Sequence, residues 1–180
     1  MDEIEYLKSC VKSIKDFPKP GIVFRDITSV CENPEAFPLI CKKMAELYAD
    51  AGITKVVGSE ARGFVFGAPV AALLGCGFVM ARKQGKLPRE VYSECYELEY
   101  GTNVLEMHQD AISSDDRILI VDDLIATGGT VEAQIKLVNR FNATIAGAVF
   151  AISLPDLGGV EMLKNRYGVD SRCIMEFPGH

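Results

Sequence analysis

The chain has 180 residues, 48% hydrophobic and 24% charged, with a formal net charge of -6. That length suits one domain with a sizeable core, and an acid excess without any densely basic segment argues against nucleic acid as the main partner. No apolar run reaches the roughly 18 to 20 residues that a membrane span needs, and His108 and His180 cannot complete a zinc site with Cys10, Cys31, Cys41, Cys76, Cys95 and Cys173 so scattered. The opening Met1-Asp2-Glu3-Ile4-Glu5 lacks the basic and apolar regions of a secretory leader. Together these predict free thiols in a reducing cytoplasm, with no membrane partner.

Residues 2–14 carry Ile4, Leu7, Val11 and Ile14 at helical spacing, and Phe17-Pro18-Lys19-Pro20-Gly21 should stop that helix in a rigid turn. Asn33-Pro34 predicts a helix with proline at its first position, bearing Phe37, Ile40, Met44, Leu47 and Tyr48 and ending near Gly52. Lys55 to Gly58 reads as a strand. Residues 63–74 are apolar nearly all round, the pattern of a buried helix, and Gly77 to Ala81 is another strand. A polar, basic turn spans Arg82 to Arg89. Val91 to Tyr100 and Asn103 to His108 read as a hairpin around Gly101. A strand at 117–121, a helix at 130–141, a strand at 143–153, a helix at 159–167 and a strand at 172–177 complete the chain. Strands alternating with helices predict an α/β fold with a parallel sheet covered on both faces.

The most informative stretch is Ile118-Leu119-Ile120-Val121-Asp122-Asp123-Leu124-Ile125-Ala126-Thr127-Gly128-Gly129-Thr130. A buried strand is expected to end at two adjacent carboxylates, followed by a glycine-rich turn and a helix. Ligands of open α/β sheets bind outside the carboxyl ends of strands. Carboxylates accept hydrogen bonds from ribose hydroxyls, and free backbone N–H groups at a helix start suit a phosphate. Either acid or Thr127 alone would fit an ordinary strand end and helix cap. Two buried acids side by side are costly without a partner, so the whole string points to a phosphorylated ribose.

Three other segments carry weaker signals. Gly58-Ser59-Glu60-Ala61-Arg62-Gly63 lies between a strand and a helix, where free amides and Arg62 can hold a second anion; alone it is a turn whose arginine pairs with a surface acid. Arg82-Lys83-Gln84-Gly85-Lys86-Leu87-Pro88-Arg89 packs four cations into eight residues. It is either a solvated surface or a basic lid that excludes water from a reactive intermediate. Phe17-Pro18-Lys19-Pro20-Gly21-Ile22-Val23-Phe24-Arg25-Asp26-Ile27 is a turn followed by an extended segment. Phe24 there belongs either to the core or to the face of a flat base.

These four segments, in this order, resemble the type I phosphoribosyltransferases, which use 5-phosphoribosyl-1-pyrophosphate (PRPP). The string at 118–130 resembles the PRPP motif shared by that family. Segments 17–27 and 82–101 are similar to its adenine-using, bacterial-type branch, and the resemblance runs from Phe17 to the terminal Phe177-Pro178-Gly179-His180. It implies an α/β fold with a mostly parallel twisted sheet flanked by helices and a flexible lid hairpin. It also implies one domain over 1–180, with an N-terminal helix and base-binding segment at about 1–33, a core at about 34–180 and a lid at about 82–101. The implied reaction transfers the 5-phosphoribosyl group of PRPP to N9 of adenine, giving AMP and pyrophosphate in purine salvage.

By the same resemblance, Asp122 and Asp123 lie at the ribose, and Ala126, Thr127, Gly128, Gly129 and Thr130 cradle the 5-phosphate. Glu60, Ala61 and Arg62 meet the pyrophosphate across a cis Glu60–Ala61 bond, with Arg82, Lys83 and Lys86 completing the anion site. Arg82 is a candidate to serve the partner of a homodimer. Phe24 and Leu124 sandwich adenine, the Val23 carbonyl accepts from its amine, and the Arg25 N–H donates to a ring nitrogen. Glu99 is similar to a lid carboxylate that handles the purine proton. Mg²⁺ is expected to travel with PRPP, with no protein ligand assigned to it.

Two other readings keep the PRPP motif. A transferase for hypoxanthine, guanine, xanthine or orotate should lack the Val23-Phe24-Arg25 segment, and a 6-oxo group wants a donor where Val23 offers an acceptor. A non-catalytic PRPP-sensing regulator needs a DNA-binding module or a basic face. A PRPP-forming kinase would need an ATP site and a longer chain.

Overall fold

The computed structural model describes residues 1–97 and 101–179. Helix α1 (Glu3–Cys10) starts on a capping box in which Asp2 accepts from the Glu5 N–H. It stops earlier than the spacing of Val11 and Ile14 predicts. Strand β1 (Lys12–Lys15) instead pairs antiparallel with β2 (Val23–Asp26), setting Ile14 opposite Phe24. The cause is distant in sequence: Ser29 Oγ accepts from the Lys12 N–H at 3.0 Å and lies 2.7 Å from the Cys10 carbonyl it donates to. The predicted turn is present. Gly21 has φ 87° and donates to Asp16 Oδ1 at 2.8 Å, and the Phe17–Pro18 bond is cis.

A single turn, α2 (Thr28–Cys31), leads to α3 (Ala36–Glu46). Pro34 precedes this helix rather than opening it. The Asn33 side chain takes the Glu35 and Ala36 N–H groups at 2.9 and 3.0 Å, which places the start two residues later than expected. Then follow β3 (Lys55–Ser59), α4 (Arg62–Leu74), β4 (Gly77–Lys83), β5 (Val91–Glu97), β6 (Thr102–His108), β7 (Arg117–Ile125), α5 (Gly129–Asn139), β8 (Thr144–Ser153), α6 (Gly159–Tyr167) and β9 (Ser171–Glu176).

Seven strands form one sheet in the order β5-β6-β4-β3-β7-β8-β9. From β4 to β9 neighbouring strands run parallel, while β6 is antiparallel to both β4 and β5. Alternation divides the core. Val56, Leu119 and Val121 pack with Leu7, Ile40, Met44 and Phe66 on one face; Val57, Ile118, Ile120 and Phe150 pack with Val131, Ile135 and Leu163 on the other. Each such fully buried Val, Ile, Leu or Phe contributes roughly 1.5–3 kcal/mol. Helix α4 is less enclosed than its composition predicts: Phe66 and Val70 are buried, but Val65 and Leu73 are 39% and 58% exposed. Among the described residues no helix is long and apolar enough to cross a membrane.

The connections decide where a ligand can enter. From β3 the chain passes through α4 to β4 on one side; from β7 it passes through α5 to β8 on the other. Pairing between β3 and β7 ends at Val57 and Ile120. Beyond that point the strands part, and a crevice opens at this reversal of strand order.

Candidate active site

A cleft of about 430 Å³ occupies that crevice, lined by Ser59 to Gly63, Tyr96, Glu97 and Asp122 to Val131. The acid pair does not end its strand, as the sequence reading expected. Strand β7 continues to Ile125 because β8 keeps pairing with it as far as Ser153. The carboxylates therefore stand within a strand supported on one side and open to the cleft on the other.

Both acids are buried, yet their surroundings differ. Asp122 Oδ1 accepts from the Asp123 N–H at 2.8 Å, and its Oδ2 accepts from Ser59 Oγ at 3.3 Å. Burial, then the charge of Asp123, pushes Asp122 well above the ordinary carboxylate range. Asp123 Oδ2 lies 3.0 Å from Arg62 Nε, an ion pair not aligned as a hydrogen bond. Gly63 lets helix α4 approach closely, since a Cβ there would lie 3.0 Å from Asp122 Oδ1.

The turn Ala126 to Thr130 has Gly128 at φ 90° as the N-cap of α5. The first helical bond runs from the Glu132 N–H to the Gly128 carbonyl at 2.8 Å. The helix thus leaves over the N–H groups of Gly129, Thr130 and Val131. Behind the turn stands α6, whose Gly159 N–H donates to the Ala126 carbonyl at 3.0 Å. A Cβ on Gly159 would lie 2.5 Å from that oxygen, so only glycine fits this buttress. The second loop carries a cis Glu60–Ala61 bond, at the position the resemblance implied. Glu60 points its carboxylate away from its own loop. Oε1 accepts from the Lys83 N–H at 2.8 Å and from Arg82 Nε at 3.1 Å, and these two donors, in that order, hold it below its usual range.

Of the remaining described candidates, Leu124 joins the cleft lining and the others lie apart from it. Arg82, Lys83 and Lys86 are outside it, with Arg82 paired to Glu60 at 3.1 Å. The basic loop is tied down at Gly85, whose N–H donates to Glu106 Oε1 at 2.9 Å, and at Arg89, which pairs with Asp110 at 3.1 Å. Val23, Phe24 and Arg25 sit half-buried on β2. Phe17 meets Phe24 edge-on at 5.3 Å, and the Arg25 guanidinium stacks on Phe177 at 4.8 Å. Leu124 lines the cleft and packs on the same apolar cluster as Ile27, Val30 and Phe177. The Cys31 thiol on α2 is pushed up by burial and then by the charge of Asp123. Glu99 lies outside the described residues.

Sequence reasoning missed Gln134 and Gly159, and named Ser59 and Gly63 only as members of the 58–63 loop, with no role of their own. Only the Gly158-Gly159 pair carried a local signal, a left-handed turn at a helix start.

A switch-point cleft with two amide-rich loops flanking an acid pair defines a phosphoribosyltransferase. The phosphoribosyl transferase domain model matches residues 26–172. The adenine phosphoribosyltransferase of Escherichia coli (strain K12 / DH10B) is 57% identical over 178 residues, 99% of this chain and 97% of that protein. The Thermoanaerobacter pseudethanolicus adenine phosphoribosyltransferase structure superposes with a TM-score of 0.90 at 43% identity, covering 97% of this chain and 99% of that one. The APRTase of Giardia lamblia, solved with 9-deazaadenine, gives a TM-score of 0.91 at 32% identity with 100% of both chains covered. The chain belongs to the adenine phosphoribosyltransferases of the type I family, and its reaction converts adenine and PRPP to AMP and pyrophosphate.

Proposed function

We propose that the cleft binds PRPP with its two ends on the two loops and its ribose on the acids between them. The observation that carries this is the parting of β3 and β7 after Val57 and Ile120, which opens both loops and both acids onto one crevice. Thr127 to Thr130 hold the 5-phosphate through leftover N–H groups and hydroxyls. The amides of Ala61 and Arg62, with the Arg62 guanidinium, hold the pyrophosphate. Glu60 acts through its backbone, its carboxylate being committed to Arg82 and Lys83.

Catalysis on this reading is positioning and charge stabilisation. The bond from C1 to the pyrophosphate oxygen breaks, N9 of adenine forms the new bond, and the N9 proton leaves. Asp122 and Asp123 orient the ribose and face the positive charge that develops on it. Glu99 is assigned the purine proton on the family resemblance alone. A Mg²⁺ ion carried in with PRPP would supply charge neutralisation for the leaving pyrophosphate. Asp123 is already paired to Arg62 at 3.0 Å, so the ion is assigned to the substrate.

Adenine is assigned to the space between Leu124 and Phe24. Among the described residues strand β2 pairs with β1 alone, which leaves an edge open to a base, and the Val23 carbonyl and the Arg25 N–H are assigned to it. We also assign a homodimer, and Val65 on α4 and Met80 on β4, 39% and 47% exposed, are apolar side chains that such an interface would cover. Arg82 stands two residues beyond Met80 on the same side of β4, and is assigned to serving the partner's site. Thiols unpaired at all six cysteines fit a reducing cytoplasm. The whole described chain is read as one catalytic domain.

The test is competition between bases. With Mg²⁺ and PRPP, kcat/KM for adenine should exceed that for hypoxanthine by about 10⁴-fold. Comparable values would remove Val23 from the base site.

A further inference from the structure

Beneath the acid pair lies a polar chain that neither loop accounts for. Gln134 on α5 is fully buried, on a helix whose neighbouring buried positions Val131, Ala133, Ile135, Leu137 and Val138 are apolar. Its Nε2 donates to Ser59 Oγ at 3.5 Å, and its Oε1 is buried without a partner. Ser59, itself buried, passes its one hydroxyl proton to Asp122 Oδ2 at 3.3 Å. A leucine or methionine would fill the same space without leaving a buried acceptor unmet, so packing alone does not explain the amide. Its one polar contact leads to the substrate acid.

The direction of the chain follows from proton counting. A hydroxyl has one proton and two lone pairs. With Gln134 donating into the Ser59 oxygen, the Ser59 proton is left for Asp122. That fixes Oδ2 as the oxygen held from below, while the Asp123 N–H holds Oδ1. The same helix opens with the phosphate turn, Gln134 lying one turn and a half below Gly129. The chain therefore joins the phosphate end of the cleft, through α5, β3 and β7, to the ribose end.

We propose that Gln134, acting through Ser59, is a positioning residue for phosphoribosyl transfer: it orients the Asp122 carboxylate toward the ribose hydroxyls and couples it to the helix that carries the 5-phosphate. This rests on the assignment of Asp122 to the ribose.

The experiment uses Gln134→Leu, Ser59→Ala, Ser59→Thr and the double variant Gln134→Leu/Ser59→Ala in the full-length enzyme. Both Gln134→Leu and Ser59→Ala should lower kcat by about tenfold, the scale of one hydrogen bond, with KM for adenine unchanged. Ser59→Thr keeps the hydroxyl and should restore kcat. The double variant should lose no more than either single one, because both cut the same chain. The melting temperature of Gln134→Leu should equal or exceed that of the parent. Parental kcat in Gln134→Leu and Ser59→Ala, or additive losses in the double variant, would overturn the proposal. Should Gln134→Leu not fold, the contrast of Ser59→Ala with Ser59→Thr decides alone. Asp122→Asn separates the two levels: unchanged kcat/KM for PRPP there refutes the ribose assignment, whereas an impaired Asp122→Asn beside fully active Gln134 and Ser59 variants refutes only the positioning role.

Discussion

Arg62 Nε stands 3.0 Å from Asp123 Oδ2, so the residues assigned to the pyrophosphate and to the ribose hold each other. Arg62 is half exposed but Asp123 is buried, so removing the guanidinium leaves a buried carboxylate without its cation, at a cost of about 1–3 kcal/mol. Arg62→Ala should therefore lower the melting temperature by a few degrees while lowering kcat/KM for PRPP by about 100-fold, the scale of losing one charge-stabilising donor. Arg62→Lys should recover only part, because an ammonium lacks the planar fork. A large stability loss with intact kcat/KM would make the pair structural.

Gly63→Ala tests how tightly the acid is placed. The new Cβ would lie 3.0 Å from Asp122 Oδ1, so the carboxylate must shift by a few tenths of an ångström. A drop of about tenfold in kcat/KM for PRPP is expected, since small misplacements at a reacting centre are expensive. Steady-state kinetics of this variant check it; parental values would show that the acid's position is not critical.

Asp116 governs the opposite end of the sheet. It bonds the Ser113 N–H and Thr54 Oγ1, each at 2.8 Å, and pairs with Lys55 at 3.0 Å. Burial pushes its carboxyl up, but these partners outweigh that and hold it below the ordinary 3.8. A depressed folded-state value means stability that is present above the unfolded value and lost as pH falls through the folded one. Asp116→Ala should cost about 1–3 kcal/mol at pH 7. The gap to the parent should close as pH falls below 3.8. Urea melts across pH measure it.

What the sequence made legible was what lies close together along it. The string from Ile118 to Thr130 is one strand, one turn and one helix start, so its apolar run, acid pair and glycines announce the site directly. The parallel order follows from strands alternating with helices, as in Lys55–Ser59, Arg62–Leu74 and Gly77–Lys83. What stayed hidden depends on distant partners. Ser29 captures Lys12 and ends α1 early; β8 carries β7 past the acids; Gln134 reaches Ser59 from 75 positions away. No periodicity encodes such contacts, and a lone glutamine within an apolar helix reads as an ordinary surface position.

The basic loop is best tested by cleavage. Lys86 is exposed, while Gly85 and Arg89 on either side are tied to Glu106 and Asp110. Trypsin should cut after Lys86. Mg-PRPP should protect that bond and adenine alone should not, because the cations gain a polyanion that offsets the entropy of ordering. Glu99→Gln should lower kcat more than it raises KM for PRPP. Equal cleavage with and without Mg-PRPP would make the loop a solvated surface, and normal kcat would release Glu99 from the purine proton.

The most direct test of the account is Asp123→Asn, measured for both turnover and melting temperature. The substitution removes the charge that pushes Asp122 upward and gives up the pair with Arg62, so stability should hold within about 1 kcal/mol. Its amide turns a donor toward the ribose hydroxyls and removes a negative charge facing the developing cation. The predicted result is a fall in kcat/KM for PRPP of about 100-fold or more at a nearly unchanged melting temperature. Parental kcat/KM for PRPP with an altered melting temperature would show that the acid pair serves the sheet and not the ribose.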